Sequence, residues 1–288
     1  MPQSKVQKLL FSDDIQDPSK HWKSTICFRK FRKKLSELSK MHWTSLMGAN
    51  YISEANSAIG VKDKLALTIA TLPFQGRMLA LDKDEMSEWL KEYENSIRNS
   101  ILVLCSGNIE FYLKRSILIY LLCNGYAELG DKFKLNSVGE AIGAPVIKKS
   151  TIHKQLIYIG KLLDIDFKKH ISVWEKAYKQ RCILAHQAGI ISGADNDDIL
   201  FYDENIQTDW ESLLQVLDST NQIVGIIDQK ISSSKFRLLE LEFELSILKK
   251  AKKLPLKENL WIYIHNELGC NNTANEYKQK IEAALYKK

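Results

Sequence analysis

Between Ile97 and Cys123 the chain is apolar on nearly every side of a helix, broken only by scattered polar residues. A helix that apolar all round has to lie inside a core rather than on a surface. It also needs other amphipathic elements to surround it. The longest uninterrupted apolar runs, Ile101–Cys105 and Ile117–Cys123, fall far short of the ~20 residues that cross a bilayer. The segment is therefore read as a buried helix of a water-facing fold, with no membrane as partner.

The surrounding sequence supplies such elements. Trp22, Ile26, Phe28, Phe31, Leu35 and Leu38 recur at three- and four-residue spacing and predict an amphipathic helix over about 19–41. A second helix is expected from Lys62 to Leu72, stopped by Pro73 and Gly76, with a hinge at 72–76. Asp82 or Asp84 can open a long helix that ends at Asn124-Gly125. Residues 126–150 form a connection, with a short helix from Ser137. Helices follow at about 151–164 and 167–188, and a hairpin joins Ile190–Ser192 to Ile199–Tyr202. Another helix runs from Thr208 or Asp209 to about Ser232, where three serines break the chain before a charged helix over Lys235–Lys253. Leu254-Pro255 then sets off two terminal helices.

The expected class is all-α: a helical bundle with additional N- and C-terminal helices and one short hairpin. Thirteen glycines and five prolines are too few for the many tight turns of a β-sandwich. Three segments are expected: a basic N-terminal region 1–80, a helical domain 81–232 and a C-terminal extension 233–288.

Charge is unevenly spread. Residues 1–40 carry the whole net excess of +6, and Arg29, Lys30, Arg32, Lys33 and Lys34 form its densest cluster. Such a cluster raises the local concentration of a polyanion without reading its sequence, so RNA is a candidate partner. The alternative is a solvated helix face. From Cys182 to Gln229 there is no Lys or Arg, while nine Asp or Glu occur.

Signatures of common chemistry are missing. The sequence has no phosphate loop, no Gly-x-Gly-x-x-Gly after a strand and no His-Glu-x-x-His. Its five cysteines are odd in number and contain no Cys-x-x-Cys pair. They read as buried reduced thiols, and no metal or cofactor is expected. With no apolar stretch at the start of the chain, a cytoplasmic location is expected.

One pair with chemical reach remains: Arg181 and His186 in Arg-Cys-Ile-Leu-Ala-His, near the end of a predicted helix. Arginine is permanently charged and can fork onto a phosphate. Histidine can accept or donate a proton near neutrality. Together they are the minimum for metal-free RNA cleavage through the 2′-hydroxyl.

Upstream lies Arg98-Asn99-Ser100, an apolar run and Ile109-Glu110-Phe111. A helix of the form Arg-x-Ser, apolar run, Glu-aromatic, followed by a later Arg-x(4–6)-His helix, resembles the HEPN superfamily, particularly its RiboL-PSP-like branch. The likeness covers about residues 85–232. It implies a dimerising all-α bundle in which two Arg–His motifs face each other and form a composite, metal-independent endoribonuclease site. Carried over by residue, Arg181 would contact the phosphate, His186 would be the general acid/base, and Glu110 would orient the pair.

Where many active members have a polar residue after the arginine, this chain has Cys182. The resemblance also implies a toxin or effector of antiviral, abortive-infection defence, with a regulatory partner protein or antitoxin. Its alternative is a non-catalytic RNA-binding or scaffold subunit of a larger defence complex. For Glu110 the competing reading is a partly buried carboxylate bonded to a core Tyr or Lys. For Cys182 it is helix packing.

Overall fold

The computed structural model describes residues 24–57, 65–66, 80–81, 83–124, 151–186, 191–192, 199–200, 207–270 and 275–286. The fold is an all-α helical bundle. Its elements are α1 (Ile26–Ser57), β1 (Leu65–Ala66), β2 (Ala80–Leu81), α2 (Lys83–Asn124), α3 (Ile152–Leu163) and α4 (Lys168–His186). They continue with β3 (Ile191–Ser192), β4 (Ile199–Leu200), α5 (Trp210–Ile231), α6 (Ser234–Lys250), α7 (Leu260–Asn266) and α8 (Asn275–Tyr286). A single 3₁₀ turn, Lys257–Asn259, leads into α7. No helix among the described residues is long and apolar enough to cross a membrane.

Helix α2, 42 residues long, starts with Asp84 and Glu85 in its first turn, where carboxylates complement the helix dipole. Its second half is buried along Ile101, Leu102, Cys105, Ile109, Leu113, Ile117 and Leu121, but Leu104 and Phe111 are exposed, so one side of the helix is not covered as the all-round apolar pattern predicts. Helix α3 ends on Asp164 in a left-handed conformation, φ 53°, with its N–H donated to the Gly160 carbonyl. Gly160 is dictated by close approach: a Cβ there would meet the Ile165 carbonyl oxygen at 2.8 Å. The expected serine break is present, with Ser233 capping α6 by accepting from the Phe236 N–H at 3.2 Å.

Two minimal antiparallel pairs accompany the helices. The expected hairpin is β3 with β4, Ile191 opposite Leu200 and Ser192 opposite Ile199. The other pair corrects the helix expected over Lys62–Leu72: Leu65 pairs with Leu81 and Ala66 with Ala80. A helix of that length is marginal without tertiary support, and Pro73 and Gly76 between the two strands favour chain reversal. The expected 72–76 hinge, the helix from Ser137 and the N-terminal residues before Ser24 lie outside the described residues. Helix α1 continues to Ser57, well past the expected end near residue 41.

Packing divides the chain into two units. Unit 1 comprises Met1–Lys34, Ser106–Tyr178 and Leu217–Lys288, and unit 2 comprises Leu35–Cys105 and Lys179–Val216. In unit 1 Ile26 at the start of α1 shares a core cluster with Leu241, Leu245, Leu260, Ile264 and Ile281. The C-terminal helices thus complete the core in which α1 begins.

Candidate functional site

The residues carrying the expected chemistry fall in both units. Arg181 and His186 stand in the last six residues of α4, in unit 2. Arg181 and Cys182 are half-buried, whereas the side chain of His186 lies outside the described residues. Five residues at about 100° each place positions 181 and 186 about 140° apart around the axis and about 7.5 Å along it. The two positions therefore do not share one helix face.

The residue before Arg181 is fixed by a compact set of hydrogen bonds. Gln180 Nε2 donates to Thr208 Oγ1 at 2.9 Å. Thr208 Oγ1 in turn donates to Asn99 Oδ1 at 2.5 Å, and its backbone N–H donates to Asn95 Oδ1 at 3.1 Å. Arg98 Nε donates to the Thr208 carbonyl at 2.8 Å. All the backbone and side-chain polar groups of Thr208, itself buried, are thus used, and α2, α4 and the entry to α5 are joined at one residue. The Arg98-Asn99 dipeptide of the Arg-x-Ser motif supplies two of these bonds.

Glu110 belongs to unit 1. Its carboxylate is held by Lys114 one turn later, at 2.5 Å, which is the bonded-carboxylate alternative weighed for it. The basic cluster also belongs to unit 1, in the first turns of α1. Arg29 donates to the carbonyls of Gly269 and Ser24, and Lys30 pairs with the nearly buried Glu244 at 2.7 Å. Arg32 donates to Asn221 at 3.1 Å, and Lys33 lies 3.3 Å from Glu267, both at the surface. Lys34 is exposed.

A buried polar network at the start of α1 was not foreseen from the sequence. Glu240, fully buried, accepts from the N–H groups of Ile26 at 2.5 Å and Cys27 at 2.6 Å. Thr25 Oγ1 accepts from Phe28 at 3.2 Å, and the Thr25 carbonyl accepts from Arg29 at 3.3 Å. The four N–H groups that a helix start leaves unpaired all have partners. Asp228 accepts from both the N–H and the hydroxyl of Thr25. Arg115 pairs with Glu240 at 3.3 Å and with Glu244, and lies over the Phe243 ring.

Burial pushes the Glu240 carboxyl up from its ordinary range, opposed by Arg115. It pushes Asp228 up as well, opposed by the bonds from Thr25. Burial also raises the Cys27 thiol well above its usual value, which keeps it a poor nucleophile. The sequence signal was present in α6. Glu240 and Glu244 repeat the four-residue spacing of Leu241 and Leu245 one position earlier, so the carboxylates flank the apolar stripe.

All five cysteines are free thiols, four of them buried. His170 is buried and bonded to Ser219 at 2.9 Å. His42 stands in unit 2 with its ring stacked on Trp210 at 4.7 Å and 16°. Burial, then the nearby Arg98 charge, lowers its pKa and favours the neutral imidazole. Among the described residues no three His, Cys, Asp or Glu side chains are grouped so as to hold a metal ion.

Fold and site together define an all-α protein with an Arg-x₄-His helix end tied to a long central helix. No protein-family model, curated protein or solved structure matches the chain.

Proposed function

We propose that the protein is a metal-independent endoribonuclease of HEPN type, acting as a homodimer. The observation supporting this most directly is that Arg181-x₄-His186 closes α4 while Gln180, one residue earlier, is tied through Thr208 to Asn99 of the Arg-x-Ser helix. Arg98 and Asn99 of the Arg-x-Ser helix and Gln180, the neighbour of Arg181, thus meet at Thr208.

In the proposed reaction His186 of one protomer takes the 2′-hydroxyl proton. The 2′-oxygen attacks the adjacent phosphorus, and the P–O5′ bond breaks. The 5′-oxygen leaves after receiving a proton from the second protomer's copy of His186, and the products are a 2′,3′-cyclic phosphate and a 5′-hydroxyl. Arg181 stabilises the charge that accumulates on the phosphoryl oxygens. Two copies of the motif suit the helix geometry, since positions 181 and 186 diverge around one axis. The biological role proposed is an RNA-cleaving effector of antiviral defence, restrained by a partner or trigger.

A second reading, a non-catalytic RNA-binding or scaffold subunit, draws on the pairing of Glu110 with Lys114 and on Cys182 after the arginine. One experiment separates the two. Purified protein is incubated with RNA in EDTA, and the ends are analysed for 2′,3′-cyclic phosphate. Cleavage abolished by Arg181→Ala and by His186→Ala supports the enzyme. Cleavage retained in both variants rules out this site. Expression that arrests growth, relieved by Arg181→Ala, supports the effector role.

A further inference from the structure

The middle of α1 carries large apolar side chains on a face that a solvated helix would keep polar. Trp43 is 57%, Met47 70% and Tyr51 75% accessible, and the three follow one another at four-residue spacing. At about 100° per residue, Trp43 and Tyr51 stand about 40° to either side of Met47. Lys40 and Glu54, both exposed, lie about 20° to either side of it and about 10 Å along the axis in opposite directions. All five positions belong to unit 2. Single exposed apolar residues are ordinary on a surface, whereas a run of them on one face marks a place where something docks.

The order of the charges along this stripe selects the occupant. A cation stands at one end, an anion at the other, and the apolar residues lie between them. An isologous contact requires a surface that complements itself when rotated by half a turn. We propose that the stripe of Lys40, Trp43, Met47, Tyr51 and Glu54 joins two copies of this chain, their α1 helices antiparallel about a two-fold axis near Met47. Each Trp43 then comes level with the partner's Tyr51, and each Lys40 with the partner's Glu54. The two Met47 side chains meet at the centre, where a flexible thioether fills an irregular gap well.

Other occupants fit less well. A parallel second copy would set Lys40 against Lys40 and Glu54 against Glu54. A nucleic-acid backbone would meet the Glu54 carboxylate at one end of the stripe. The contact covers one helix face about 21 Å long on each copy. That is small beside the about 1,200–2,000 Å² of stable interfaces, so the dimer forms reversibly and grows in with concentration. This contact does not rest on the ribonuclease reading, which calls for two copies without naming the face that joins them.

The test is sedimentation of the full-length protein over a range of concentrations, without RNA. Met47→Glu, which places two carboxylates at the centre, should leave only monomer, with an unchanged far-UV circular dichroism spectrum because Met47 is exposed. Lys40→Glu should weaken the dimer about ten-fold, since each change acts twice in a symmetric pair. Adding Glu54→Lys to it should restore the parent's affinity. In parallel, a short thiol-to-thiol crosslinker should join Met47→Cys to itself. It should join Trp43→Cys to Tyr51→Cys in a mixture faster than either to itself, because like positions there stand about 12 Å apart along the helices.

A protein that stays monomeric at every concentration overturns the proposal. So does a dimer that is as tight in folded Met47→Glu, or a Lys40→Glu, Glu54→Lys combination no tighter than Lys40→Glu alone. Trp43→Cys crosslinking to itself as fast as to Tyr51→Cys would overturn the antiparallel arrangement. RNA binding lost on Tyr51→Ala in a protein that stays monomeric would give the stripe to nucleic acid. A dimer joined through this stripe that cuts no RNA would instead sink only the ribonuclease reading.

Discussion

Unit 1 buries Arg115, Glu240 and Asp228 and gives each a partner inside the unit, whereas unit 2 keeps the large aromatic side chains of Trp43 and Tyr93 exposed. These three buried charges are already engaged. Glu240 is committed to Arg115 and two helix N–H groups, and Asp228 to Thr25. Such a network adds little net stability relative to an apolar core, but removing one member leaves its partners buried and unpaired. It fixes where α1 starts. In unit 2 the Thr208 knot is equally closed, yet His42 retains an unsatisfied imidazole nitrogen and Glu94 a loosely held carboxylate.

The sharpest way to break this contrast is Glu240→Ala. It strips Arg115 of a buried counter-ion and leaves the N–H groups of Ile26 and Cys27 without an acceptor. The expected loss is about 3–5 kcal/mol in urea denaturation. Glu240→Gln retains an amide oxygen for one N–H and should cost visibly less. A loss below about 1 kcal/mol for the alanine variant would show that the network does not hold α1.

A smaller effect is expected at Thr208. Thr208→Val keeps the shape but removes the hydroxyl shared by Gln180 and Asn99. About 1–3 kcal/mol should be lost, with faster hydrogen exchange over residues 179–186, and Thr208→Ser should recover most of it. Unchanged exchange there would mean that the helix end carrying Arg181 is positioned by something other than this knot.

The sequence made the helices legible because their apolar spacing is a local property. The boundaries of α2 through α6 follow the Asp84 start, the Ser233 cap and the long apolar runs closely. It could not disclose how they pair. Nothing local to Glu240 says that its carboxylate will meet the start of α1, more than two hundred residues earlier. The same blindness applied to Leu65–Ala66, where pairing with Ala80–Leu81 overrides a short helical pattern. At the candidate site, Arg181 and Glu110 were found as motif residues. The Thr208 knot and the His42 stack were missed, because each arises from side chains on different helices converging after folding. His42 looked like any other histidine until Trp210 was stacked against it.

The least disruptive comparison concerns the basic cluster at the head of α1. Arg29 and Lys30 bind carbonyls and Glu244 within unit 1, so changing them would disturb the same region that Glu240 organises. Arg32, Lys33 and Lys34 are exposed, and the pair between Lys33 and Glu267 has both side chains more than half accessible. An exposed pair of this kind contributes about 0–1 kcal/mol. The triple variant Arg32→Gln, Lys33→Gln, Lys34→Gln should therefore melt close to the parent. If these three charges lie along an RNA backbone, each contact contributes about 0.7–0.9 to the slope of log affinity against log salt. Losing all three should flatten that slope by about 2 to 3 and weaken every RNA alike. An unchanged slope would make this face a solvated helix surface.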